Sequence, residues 1–113
     1  MHYNEITTAL ALLVTVAAPA AAFFKVPCTS PVVVERADPV ISPGKVSSHA
    51  HTVMGGNGFG FSMNYAQARA ASCSTCKAKG DNSNYWIPSV YFQASNGSFI
   101  SVQQNGGMLV YYQ

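Results

Sequence analysis

A chain of 113 residues that is 49% hydrophobic, only 9% charged and formally +2 has material for one modest domain and little charge to distribute over its surface. Its six Lys and Arg residues are scattered, Lys77 and Lys79 being the one close pair. That excludes the basic stripe by which proteins hold nucleic acid.

From Ala9 to Ala18 the chain is almost wholly apolar, Pro19 interrupts it, and Ala20-Ala21-Ala22 supplies the small residues that signal peptidase accepts before Phe23. His2 and the free amine replace the usual Lys or Arg of the leader's first part, and Glu5 opposes them. The segment still reads as a secretory signal peptide over residues 1–22. As a retained anchor it falls short of the ~20 apolar residues that a bilayer span needs. Its removal leaves 91 of the 113 residues, with six basic side chains against Glu35, Asp38 and Asp81, and no membrane attachment.

After the leader, Val32-Val33-Val34 is a short β-branched run, and Asp38-Pro39 through Ser42-Pro43-Gly44 is turn chemistry. Lys45 to Val53 reads as extended and leads into Gly55, Gly56, Gly58 and Gly60. That glycine spacing matches neither a dinucleotide fingerprint nor a P-loop, so the stretch is a flexible or close-packed turn. Asn64 is placed to cap a brief helix over Tyr65 to Ala71, which its alanines favour. Tyr91 to Ala94 and Phe99 to Val102 read as strands joined by Asn96-Gly97, a dipeptide suited to positive φ. Gln104-Asn105-Gly106-Gly107 is a second turn, followed by a third strand, Met108 to Tyr112. The expected fold class is mainly β: a partial, sandwich-like antiparallel sheet with one short helix and much loop. Because no strand follows Met108 to Tyr112, the expectation is an open apolar edge, and residues 23–113 are read as the N-terminal part of a longer, truncated domain.

Cys28, Cys73 and Cys76 would meet an oxidising lumen, where thiols end as disulfides. Three is odd, so at least one lacks an intrachain partner. Cys73-Ser74-Thr75-Cys76 follows an Ala-rich segment and enters a polar loop instead of opening a helix, which disfavours redox catalysis. A zinc knuckle lacks its four local ligands. The remaining reading is a cystine through Cys73 or Cys76 that holds the loop before Asp81.

Two groups of side chains carry possible chemistry. His49 and His51, if both lie on a strand, point to one face about 6 to 7 Å apart and could chelate a metal or flank a substrate, with Asp38 or Asp81 as the third group. The alternative is that both rings only hydrogen-bond the neighbouring loop. Asp81, Asn84, Tyr85 and Trp86 combine a carboxylate and an amide with aromatic rings, the means by which sugars are held, although Trp86 also suits the core of a small chain. Asn96-Gly97-Ser98 is the chain's acceptor triplet for N-glycosylation.

The succession FKVPC, ERADPVISPGKVSSHAH, SCSTCKAKGDNSNYWIPSVYF, NGSF and GGMLVYY closely resembles the N-terminal part of the DUF1996 family, secreted fungal proteins of uncharacterised activity. By that resemblance Arg36, Asp38, Pro39, Gly44, Ser48, His49, His51, Cys73, Cys76, Tyr85 and Trp86 fall on the family's recurrent positions. Members are often joined to sugar-binding WSC-type modules, which implies a cell-wall setting, and their domains continue past the GGMLVYY strand. The expected function is thus that of a secreted, cell-wall-associated domain of unknown activity, for which polysaccharide binding is the first candidate. The alternative is a polysaccharide-acting hydrolase or metal-assisted enzyme centred on His49, His51 and Asp38. No cofactor is legible.

Overall fold

The most apolar environment in the molecule surrounds a strand of ordinary composition. In the computed structural model, which describes residues 23–112, β1 spans Phe24–Cys28, β2 Val33–Glu35 and β3 His51–Gly55, and all five residues of β3 are buried. The leader lies outside the described residues. The helix α1, Tyr65–Arg69, comes next, followed by β4 (Asn84–Pro88), β5 (Tyr91–Gln93), β6 (Phe99–Ser101) and β7 (Met108–Tyr112).

β3 is buried because it is central. β2 and β4 pair with it on either side, both antiparallel, with Val53 opposite Val33 and Trp86. Strand alternation then sorts the side chains. One face of the sheet carries Val33, Glu35, His51, Val53, Asn84 and Trp86, and the other carries Val34, Thr52, Met54, Tyr85 and Ile87.

The second face is covered by a two-stranded sheet. β7 pairs antiparallel with β1, from Phe24 opposite Tyr112 to Cys28 opposite Met108. A core of Val26, Cys28, Met54 and Cys76, fringed by Ala78, Tyr85, Met108 and Val110, forms between the layers. This is the sandwich-like element of a mainly β, antiparallel fold. The Cys28–Cys76 disulfide crosses the core and closes a loop with a sequence separation of 48, a constraint worth about 4 kcal/mol in the chain-entropy account.

β7 has β1 as its one strand partner among the described residues, and its other edge is unpaired. The partner lies at the other end of the described chain, so no local pattern reveals it. Gly107 makes the approach feasible: its φ is +83°, and a Cβ there would collide with the Cys28 carbonyl. β5 and β6 form the expected hairpin, but β7 leaves it for β1 instead of extending a meander.

The helix has its expected cap. Asn64 accepts from the Gln67 amide at 3.0 Å and Gln67 returns the bond to the Asn64 amide at 2.9 Å, a reciprocal capping box. It stops at Arg69, with Ala70 as its C-cap, and buries none of its residues. The glycine stretch is the close-packed alternative. A Cβ on Gly55 would meet the Ser83 carbonyl and one on Gly56 the Asn82 carbonyl, so these glycines let β3 end directly against the loop that precedes β4.

Candidate functional site

The histidine segment is positioned by Arg36 and Ser47. Two bonds join them: Ser47 N–H donates to the Arg36 carbonyl at 2.8 Å, and the Arg36 side chain donates from Nε to the Ser47 carbonyl at 2.8 Å. The strand starts only at His51, so His49 precedes the ladder and is exposed while His51 is 6% exposed. The two rings nonetheless meet edge-on, with centroids 6.3 Å apart. His51 Nδ1 lies 2.8 Å from the Ala37 carbonyl. A carbonyl can only accept, so Nδ1 carries a proton and Nε2 is the ring nitrogen left to other partners.

Asp38 is turned onto its own loop. Its Oδ1 accepts from the amides of Val40 at 3.0 Å and Ile41 at 2.9 Å. The Ile41 amide most of all holds its carboxyl below the ordinary range against the opposing cost of burial, with further lowering from the Val40 amide, His51 and Trp86. Among the described residues no three of His, Cys, Asp and Glu converge as a metal set. His49 and His51 therefore come together, Asp38 lies near His51, and Asp81 does not join them as a third ligand.

The Cys-x-x-Cys segment is not a helical redox turn. Ser74 bridges Gly56 antiparallel, and Thr75 N–H donates to the Gly55 carbonyl at 3.0 Å. A second isolated bridge sets Cys76 directly opposite Cys28. Cys76 is accordingly buried in the disulfide with Cys28, and Cys73 is exposed with a free thiol. The expected cystine is thus made by Cys76.

The polar and aromatic cluster is divided by the sheet. Tyr85 projects to the disulfide side, where its hydroxyl donates to Asp81 Oδ2 at 2.7 Å and meets the Tyr112 hydroxyl. Burial above all, then the bonds to Asp81 and Tyr112, pushes this phenol well above its ordinary range. Phe24 stacks on Tyr112 with centroids 4.6 Å apart. For Asp81, burial of the carboxyl is outweighed by bonds from the Tyr85 hydroxyl and from Ser83, so its pKa is lowered. Tyr85 is therefore a tie between β4 and β7.

Asn84 and Trp86 project to the other face. Trp86 is half-buried against Phe59, ring centroids 6.2 Å apart. Asn84 Nδ2 donates to the Gly56 carbonyl at 2.7 Å, which fixes the amide's orientation, and its buried Oδ1 has no hydrogen-bond partner. Leaving such an acceptor unpaired costs roughly 1–3 kcal/mol.

Between α1 and the 80–83 loop lies an open cleft of about 510 Å³, lined by Tyr65, Ala68, Arg69, Asp81, Asn82 and Ser83. A second hollow of about 290 Å³ shares Tyr65, Ala68 and Ser83 with it and reaches Asn84 and Trp86 over an apolar floor of Val40 and Met63. Tyr65, 79% exposed, belongs to both. Asp81 thus lines the first hollow and Asn84 and Trp86 the second, on either side of Tyr65, and Tyr85 lines neither. Tyr65 and Arg69 escape a reading by residue type; the signal for them is their spacing of four on the predicted helix, which puts both on one side.

The model of a family described as Domain of unknown function (DUF1996) matches residues 38–113, a span that holds both histidines, the half-cystine Cys76 and the whole cleft. No curated protein and no solved structure gives a significant match. With a match over most of its length, the chain belongs to the DUF1996 family.

Proposed function

We propose that this is a secreted, cell-wall-associated domain that binds polysaccharide in the hollow between α1 and the 80–84 segment. The observation that carries the reading is Tyr65: an aromatic ring 79% exposed, flanked by hollows whose walls supply a guanidinium, a carboxylate and several amides and hydroxyls. Sugars present apolar C–H faces and radiating hydroxyls, and this combination of groups meets both. Asn84 Oδ1, a buried acceptor without a donor, would gain one from a trapped water. Secretion is supported by the leader and by a disulfide of the kind formed in oxidising compartments. Among the described residues no helix is long and apolar enough to cross a membrane.

The test is co-sedimentation of the full chain with insoluble β-glucan, chitin and mannan. Tyr65→Ala, which removes the ring from an exposed helix position, is expected to weaken retention roughly tenfold. No retention on any of the three, or equal retention by the variant, overturns the assignment. The enzymatic alternative, a hydrolase or metal-assisted site at His49, His51 and Asp38, has less support, since Asp38 is engaged by its own turn and no third ligand joins the two imidazoles among the described residues.

A further inference from the structure

The β5–β6 hairpin presents apolar and aromatic side chains that nothing in the described residues covers. Register sorts them: Phe92 and Ile100 share one face, and Tyr91, Gln93, Phe99 and Ser101 share the other. All six are exposed, Phe99 the most at 67%. None of them lines the cleft assigned to polysaccharide.

The turn that joins the strands has a defined geometry. Gly97 N–H donates to the Ala94 carbonyl and Ala94 N–H to the Ser98 carbonyl, both at 2.9 Å. Gly97 takes φ +84° with open space around it, the left-handed position that closes such a turn. Asn96 therefore stands at the tip. Its Oδ1 accepts from the Ser98 amide at 3.0 Å and from the Ser98 hydroxyl at 2.7 Å. Ser98 stands opposite Ala94 in the same register, so by alternation its side chain, with the carboxamide bonded to it, lies on the Phe92–Ile100 face, and Nδ2 is left for another bond.

We propose that Asn96 carries an N-linked glycan whose first sugars lie over Phe92 and Ile100 and shield that face of the hairpin. Asn96-Gly97-Ser98 is an acceptor triplet, and the turn displays it. In the transfer, Nδ2 bonds to C1 of a lipid-diphosphate-linked oligosaccharide, the C1–oxygen bond to the diphosphate breaks, the lipid diphosphate departs, and the amide nitrogen gives up one proton. Ile100 follows Ser98 by two residues on the same face, roughly 7 Å along the strand, and Phe92 stands opposite it, within reach of two linked sugar rings, whose C–H faces stack on an aromatic ring. The glycan takes the place of a protein layer over apolar surface that would otherwise promote association.

The full chain secreted from a eukaryotic host tests this. One glycan is expected on the wild type, absent from Asn96→Gln and Ser98→Ala. Release by peptide-N-glycosidase acts on protein already folded, so it does not depend on how the variants fold. It is expected to raise binding of a hydrophobic dye roughly twofold and to promote self-association. Phe92→Ser should abolish that rise, whereas Phe99→Ser, on the opposite face, should leave it. Secreted wild type without a glycan overturns the proposal, as does failure of the chain to be secreted, deglycosylation without effect on dye binding and association, or equal rescue by Phe99→Ser.

Discussion

β3 and the β5–β6 hairpin are both antiparallel and both flanked by turn residues, yet they end in opposite environments. His-Thr-Val-Met-Gly is buried at every position, while Tyr-Phe-Gln and Phe-Ile-Ser are exposed at every position. The more hydrophobic segment is the one left outside. Burial here follows connection: β3 has strands on both edges, the disulfide and β1–β7 on one face, and the Asp38 loop with Phe59 and Trp86 near the other. The hairpin has only its own turn. The comparison teaches that composition sets which segments can be strands, and long-range pairing sets which strand becomes the core.

The comparison breaks most readily at the disulfide. Cys28→Ser removes the long-range closure and puts a hydroxyl into the core, so an unfolding free energy lower by about 2–5 kcal/mol is expected from denaturant titration. Met54→Ala, at a side chain with no exposure, should cost about 2–5 kcal/mol by cavity formation, toward the lower end where the flexible surroundings collapse. A loss below about 0.5 kcal/mol at both positions would show that the layer of β1 and β7 does not hold β3 in place.

Acid sharpens the same contrast, because the two carboxylates with lowered pKa values, Asp38 and Asp81, brace loops around the central sheet and none lies on the hairpin. A carboxyl more acidic in the folded than in the unfolded state gives stability that is present above the unfolded value, about 4, and is lost as pH falls through the folded one. Thermal melts should therefore show a midpoint that drops as pH is lowered from about 5 toward 2. Asp81→Asn should reduce the steepness of that drop, and an unchanged profile in the variant would remove Asp81 from the account.

What could be read from the chain was local. Asn64 before an Ala-rich run, Asn96-Gly97 between apolar segments and β-branched Val33 each specify their own element through capping, turn geometry or strand propensity. The glycines at 55 and 56 were legible as a turn, and their reason, the approach of the 82–83 backbone, was not. The pairing of β1 with β7 spans nearly the whole described chain, and the choice between Cys73 and Cys76 rests on which of them the fold sets opposite Cys28. Neither is encoded in a short window. At the site, Asp81, Asn84 and Trp86 were named by chemistry, whereas alternation on β4 took Tyr85 to the other face, and Tyr65 with Arg69 entered only through helix position.

A smaller effect is expected where α1 meets the cleft. The helix buries nothing, so its five residues depend on local terms, of which the capping box is the largest visible. Asn64→Ala should cost about 1 kcal/mol or less of global stability. Its effect on polysaccharide retention should exceed its effect on melting, because a frayed first turn displaces Tyr65 while leaving β3 intact. Equal retention by wild type and variant would separate the site from the helix cap.

The smallest effect belongs to the hairpin's Phe92–Ile100 face. These two residues pair directly across the strands and are 60% and 54% exposed. Ile100→Thr keeps a β-branched side chain, so strand propensity is nearly retained. What it removes is apolar contact with Phe92 in water, a cross-strand term of roughly 0.2–1 kcal/mol. The global midpoint should therefore move little, in contrast with Met54→Ala, while self-association of the deglycosylated chain falls because exposed apolar surface has been reduced. Sedimentation at rising concentration, read beside a denaturant titration, separates the two quantities. A destabilisation by Ile100→Thr as large as that of Met54→Ala would show that the hairpin face is packed in solution, and that the division between a connected core and an unconnected hairpin is wrong.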